Sequence, residues 1–221
     1  MATMYEIIMD LPLFKGVSKN QVSAFLEKTN VGFCNYQAGE VIIGEGEEVE
    51  MVKFLIVGAV RIIHKLESLP ITIEETCDPG IVLGADRLFG ISTGYACEVR
   101  SVGKTSIMQF SKEQYMNLLQ TDRIYMLNFF NYLSLRGQRP ENALSHYAAG
   151  DLRSRLSVMI SILTHSSARD IALNVTDETL AKFGGMTIEE VIEWKDVAKR
   201  MELVSCKTNL IRILSRKGFL G

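Results

Sequence analysis

The chain has 221 residues, 47% hydrophobic and 23% charged, with 24 Lys+Arg against 26 Asp+Glu for a formal charge of −2. That balance excludes a disordered tail protein and lacks the strongly basic footprint by which many nucleic-acid binders announce themselves. Apolar runs such as 54–57 fall far short of the roughly 20 residues that span a bilayer, so no membrane segment is expected.

The elements follow in chain order. Residues 3–29 read as helical, broken at Leu11-Pro-Leu-Phe14 and Gly16, with Ser18 as an N-cap and Val22, Phe25 and Leu26 inward. From about Val31 to Phe110 short β runs alternate with Gly, Pro and acidic turns, among them 41–43, 52–57, 59–63, 71–73, 81–83 and 106–110. Many short strands with close turn signals predict a closed or double-layered antiparallel unit. A helix starting at Ser111 carries Tyr115, Leu118 and Leu119 on one face. A longer one, 122–135, has Ile124, Leu127, Phe130 (or Phe129) and Leu133 at helical spacing. With Phe129, Tyr132 and Leu135 as well, it is either deeply buried or meets another chain with its second face. Pro140 is expected to interrupt it. Beyond Asp151 come an amphipathic helix over 152–163, a strand at 171–175, two helices flanking 183–187, and a hairpin built from 203–205 and 210–214. Three helices and a hairpin in that order are those of a winged helix-turn-helix. Residues 151–221 carry 11 Lys+Arg against 9 Asp+Glu and the rest 13 against 17, a contrast too weak to decide function.

Taken in order and spacing, 11–18, Ala38-Gly-Glu-Val-Ile-Ile-Gly-Glu-Gly46, 54–61, Arg155-Leu156, 175–181, and 203–218 with its turn resemble the cyclic-AMP receptor protein/FNR family of transcriptional regulators. The resemblance implies an α+β protein in three parts. These are a β-roll effector domain like a cyclic-nucleotide-binding jelly roll (1–120), a dimerisation helix and hinge (121–149) and a winged helix-turn-helix (150–221). It implies a cytoplasmic homodimer that binds a palindromic DNA operator, answers to a small-molecule effector and works with RNA polymerase, away from membranes.

The effector region departs from the family's cyclic-nucleotide cassette. Its matching residues are Gly84, Ala85, Asp86 and Arg87, then Tyr95, Ala96 and Cys97. Tyr95 stands where the family places a phosphate-neutralising Arg, and the ribose-binding Glu falls on Ala85 or a displaced Asp86. A buried phosphate without a cation is poorly compensated, which predicts a different ligand or none. Arg87 is the available substitute. Cys34, Cys77, Cys97 and Cys206 are scattered without a CxxC, and His64, His146 and His165 stand isolated. No metal site and no cofactor is therefore expected.

In the recognition helix Thr187 and Glu190 form a capping box, and Val191, Trp194, Ala198 and Met201 are expected to face inward. Its outward residues are Ile188, Glu189, Ile192, Glu193 and Asp196. By the resemblance, Ile188 and Glu193 replace base-reading Arg residues while Glu189 is kept. A carboxylate accepts only from the cytosine amino group, and acids repel phosphates. Thr176, Thr187 and Asn209 join the expected DNA contacts, and the cations Lys182, Lys195, Lys199, Arg200, Lys207 and Arg212 are expected to anchor backbone phosphates. A protein-interaction module with an acidic helix, and a ligand sensor with no DNA output, are the alternatives. No catalytic motif such as GxSxG, HExxH or a phosphate-binding loop occurs, and a non-enzyme is expected.

Overall fold

The computed structural model describes residues 4–146 and 150–221; Thr3 of the predicted first helical stretch and 147–149 of the predicted hinge lie outside the described residues. Helix α1 (Met4–Asp10) leads through a tight 3-10 turn at Pro12–Phe14 to α2 (Lys19–Lys28). Strands β1 (Gly32–Tyr36), β2 (Val41–Ile43), β3 (Met51–Val57), β4 (Val60–Lys65), β5 (Thr72–Cys77), β6 (Ile81–Leu83), β7 (Glu98–Ser101) and β8 (Thr105–Ser111) follow. After them come α3 (Lys112–Thr121), α4 (Arg123–His146), α5 (Leu152–Leu163), β9 (Asp170–Asn174), α6 (Asp177–Gly184), α7 (Ile188–Arg200), β10 (Val204–Lys207), β11 (Leu210–Ile213) and α8 (Arg216–Leu220).

Helix starts are fixed locally. The Ser18 hydroxyl accepts the Gln21 N–H while the Gln21 amide oxygen accepts the Ser18 N–H, and Ser111 and Gln114 repeat this at α3. Each pair satisfies two of the amide donors that a helix start leaves open.

The chain forms two compact units, one comprising the chain up to Val60 with Asp78–Gly137, the other Arg61–Cys77 with Gln138–Gly221. The first holds an antiparallel sheet in the order β1-β8-β3-β6 and the β2–β7 pair. Its core is an aromatic cluster in which Phe14 meets Phe25, Phe54 and Tyr125 edge-on at 5.3–5.7 Å. Gly58 is required where β3 turns back: a Cβ there would lie 2.3 Å from the Lys104 carbonyl oxygen.

In the second unit the β4–β5 hairpin continues through β9 to β11 and β10 in one sheet. β5 runs antiparallel to β9, with Ile73 opposite Leu173 and Glu75 opposite Ile171. Leu156, Ile160, Leu180, Val191, Ile211 and Phe219 form the core of the C-terminal part, each fully buried or nearly so.

One expectation for α4 is corrected. The helix does not stop before Pro140 but continues to His146 with the proline inside it. Pro140 removes one amide donor, and the ladder persists on both sides of the missing bond. The structure also separates its two apolar stripes. Tyr125 and Phe129 turn inward, where they meet Phe14 and Tyr115, whereas Leu127, Phe130 and Leu135 are exposed. Two apolar stripes lie side by side on this helix, so spacing alone could not say which one is covered.

Candidate effector pocket and nucleic-acid interface

The predicted effector residues lie in the first unit, where β6 ends. Gly84 sits at φ 66°, in the left-handed region, and opens a 3-10 turn over Ala85–Arg87. A Cβ at this position would fall 2.2 Å from Cε1 of Tyr95. The Tyr95 ring is buried against the glycine, and its hydroxyl donates to the Met51 carbonyl at 3.3 Å. Burial, helped by the charge of Glu47, pushes the phenol far above its ordinary range, so it stays a neutral donor.

Asp86 is held by Arg136, with Oδ2 accepting from Nη2 at 2.8 Å and from Nε at 3.2 Å, and the Tyr132 hydroxyl reaches Oδ1 at 3.4 Å. Burial raises the Asp86 carboxyl, but the charge and hydrogen bonds of Arg136 outweigh it and hold the group below the usual carboxylate range. Arg87 donates from Nη1 to the Gly94 carbonyl at 3.5 Å. Ala85 is buried, Cys97 half-buried and Ala96 exposed. The fold thus brings Gly84 onto Tyr95 and Arg87 onto the residue before it. Arg136 was missed, for it stands 50 positions from Asp86 and nothing in the local sequence pairs them. Tyr95 fills the space that the missing Cβ of Gly84 opens, and Arg87, the one cation among the seven, turns to a carbonyl.

The predicted DNA contacts lie in the second unit. Thr176 and Thr187 are N-caps: their hydroxyls accept the N–H of Thr179 at 3.3 Å and of Glu190 at 3.2 Å. Ile188 and Ile192 are 40% and 49% exposed on α7, beside exposed Glu189 and Glu193. At the hairpin turn between β10 and β11, Asn209 adopts φ 55°, a conformation asparagine tolerates better than most residues. Its carbonyl accepts the Val175 N–H at 2.9 Å.

The cations divide into two groups. Lys199 pairs with Asp196 at 2.7 Å and Arg212 with Asp170 at 2.8 Å. Lys182 and Lys207 are exposed and, among the described residues, in no ion pair. Lys195, expected to serve a phosphate, is buried and bonded to Asp177. It shares the inward stripe with Val191 and Ala198, at i+4 and i+7, its stem covered and its head on the carboxylate. Trp194 is half-buried, and Met201 is 58% exposed where an inward position was expected, because the helix ends at Arg200 and the chain turns away.

Two of the histidines read as isolated are not. His64 Nε2 and His165 Nδ1 lie 3.1 and 3.0 Å from Oε1 of Glu75, whose other oxygen accepts the His165 N–H at 2.7 Å. Cys77 Sγ is 3.5 Å from that second oxygen. Burial raises the Glu75 carboxyl, and hydrogen bonds from His165 and His64 reverse this and hold it far below the usual range. A readable signal existed: Glu75 and Cys77 stand two positions apart on β5, which sends both to the face that Ile73 occupies.

Compared with known proteins, residues 33–122 match the cyclic nucleotide-binding domain family. Over almost its full length the chain is similar to the Catabolite Activator Protein of Thermus thermophilus, with 17% identity, 94% of this chain and 96% of that one covered, and a TM-score of 0.54. The c-di-GMP-responsive global regulator CLP of Xanthomonas campestris is similar at 18% identity, over 90% of this chain and 100% of that one, with a TM-score of 0.54. Sequence comparison with curated proteins finds no match. The chain has the α+β fold of these regulators: a β-roll domain, a long helix and a C-terminal winged helix-turn-helix. Among the described residues no helix is long and apolar enough to cross a membrane.

Proposed function

We propose that this chain is a DNA-binding transcriptional regulator of the Crp/Fnr type, a cytoplasmic, non-enzymatic homodimer whose effector is not cyclic AMP. Residues 1–120 serve as the sensor, 121–149 as dimerisation helix and hinge, and 150–221 as the DNA-binding domain. What carries the reading is the winged helix: α6 and α7 form the helix-turn-helix, and β10–β11 project a turn between Lys207 and Leu210. Lys182 and Lys207 contact backbone phosphates, Ile188, Glu189, Ile192 and Glu193 face the bases, and Lys199, Asn209 and Arg212 support them. The hydroxyls of Thr176 and Thr187 set the helix starts. Operator symmetry follows from the dimer's two-fold axis. RNA polymerase is the partner through which such a regulator acts.

The Tyr95–Gly84 contact supports an effector other than cyclic AMP, met by Gly84, Ala85, Asp86, Arg87, Ala96 and Cys97 around the ring. Micromolar cyclic AMP should leave the melting temperature unmoved; a clear upward shift overturns this part of the reading.

Selection of the purified protein against sheared genomic DNA, with recovered fragments titrated over a salt series, tests the main reading. Enrichment of a palindromic site with a steep salt slope is expected. Lys207→Glu should weaken binding to all sequences and flatten the slope by about one unit. Arg212→Glu should do less, since Asp170 already engages that guanidinium. No enrichment at low salt, with the dimer intact and Glu193→Arg giving no rescue, counts against DNA binding.

A second reading has its own observation. The outer side of α7 is apolar and acidic, with Ile188, Ile192 and Val197 at least 40% exposed among Glu189, Glu193 and Asp196. A protein partner with a basic, apolar surface fits that face better than a phosphate backbone does. Loss of partner capture but not of DNA binding on Ile192→Glu would favour it.

A further inference from the structure

The Glu75 cluster serves neither the effector corner nor the DNA face. Its members come from three segments of the second unit: His64 from β4, Glu75 and Cys77 from β5, and His165 from the loop between α5 and β9. The side chains of Glu75 and Cys77 are fully buried, and His165 is mostly so. Donor atoms of Glu75, Cys77 and His165 all lie within 4.8 Å of one another. Around a tetrahedral zinc ion, bond lengths of about 2.0–2.3 Å place neighbouring donor atoms about 3.3–3.6 Å apart. Of the separations found, 3.5 Å from Cys77 Sγ to Glu75 Oε2 falls within that range, and 3.0 Å from His165 Nδ1 to Glu75 Oε1 is 0.3 Å short of it.

We propose that Glu75, Cys77 and His165 bind a divalent transition-metal ion of the zinc class, with His64 as the outer partner that holds the Glu75 carboxylate. A donor set of one sulfur, one imidazole nitrogen and one carboxylate oxygen selects zinc, cobalt or nickel over magnesium and calcium. Charge favours the same answer. Cys77 gives up its thiol proton on binding, and one carboxylate and one thiolate then neutralise a 2+ ion, so the buried cluster carries no net charge. Three protein donors leave a fourth position for water, and His165 is the partly exposed member of the set. A bound ion ties the β4–β5 hairpin to the segment that leads into β9, alongside the β5–β9 pairing. This site does not depend on whether the protein reads DNA.

Metal-stripped full-length protein is titrated with Co(II), followed by absorbance, and then with Zn(II). One equivalent of Co(II) should give tetrahedral d–d bands with a thiolate charge-transfer band, release about one proton, and be displaced by one equivalent of Zn(II). The charge-transfer band should vanish in Cys77→Ser and persist in Cys206→Ser. His165→Ala should weaken binding at least tenfold, and His64→Ala by about 10–100-fold, as outer partners do. Zinc should raise the melting temperature of the unaltered chain and not of Cys77→Ser. His165→Ala keeps the test decisive if Cys77→Ser fails to fold. Absence of the band at one equivalent, or a band that survives loss of Cys77 or whose affinity ignores His165, overturns the proposal. Those outcomes leave Glu75, His64 and His165 as a purely structural hydrogen-bond cluster.

Discussion

Gly84 shows how one residue shapes a corner of the fold. Its positive φ and the 2.2 Å approach of Tyr95 to the position of its absent Cβ mean that a methyl group is opposed twice, by backbone and by neighbour. Gly84→Ala should cost about 2–4 kcal/mol in urea denaturation, and Tyr95→Ala in the same chain should recover the packing part but not the backbone part. Asp86 gives a pH-dependent test in the same place. Its carboxyl is held below the usual range, so the Arg136 pair contributes fully above the unfolded value near 3.9 and is lost as pH falls through the folded value. Asp86→Asn should therefore lower the melting temperature at pH 7, with the gap to the unaltered chain closing as the solution is acidified toward pH 2. A gap that stays constant would show that the ion pair contributes nothing.

At the scale of elements, an ion pair ties α7 to the start of α6. Lys195 stands where an apolar residue would complete the inward stripe between Val191 and Ala198, and Asp177 at the start of α6 takes its charge. Removing the lysine leaves a partly buried carboxylate without its cation, whereas an apolar replacement of both restores packing. Lys195→Ala should destabilise the C-terminal unit by about 1–3 kcal/mol in thermal unfolding, and Lys195→Met with Asp177→Leu should recover most of it. A single variant as stable as the original would mean that the pair is solvated. Starts of α2, α3 and α7 were readable because a capping box needs only residues three apart. Which stripe of α4 is covered was not, because that depends on Phe14 and Tyr115 arriving from elsewhere.

For the whole molecule, α4 leaves an apolar surface uncovered in the first unit. Leu127, Phe130 and Leu135 are 53–65% exposed, and Phe130 borders an open groove of about 530 Å³ lined by Phe89, Met116, Met126 and Phe129. A second copy of the chain is the occupant that the proposed function requires. Leu127→Asp with Phe130→Asp should shift the protein from dimer to monomer in sedimentation equilibrium while leaving the far-ultraviolet spectrum unchanged. A dimer unaffected by both changes would place the interface elsewhere.

By itself the sequence determined the order of the modules, most strands and helices, the caps and the acidic character of α7. Those properties rest on local periodicity and on hydrogen bonds between near neighbours. Tertiary structure alone decided that Tyr95 closes on Gly84, that Asp86 meets Arg136, that Lys195 is buried, and that two histidines and a cysteine gather on Glu75. Each of those contacts joins residues from different elements or turns on burial. The free energy of such an interaction depends on desolvation and on partners that arrive only when distant segments close together. Composition and spacing carry no record of that closure.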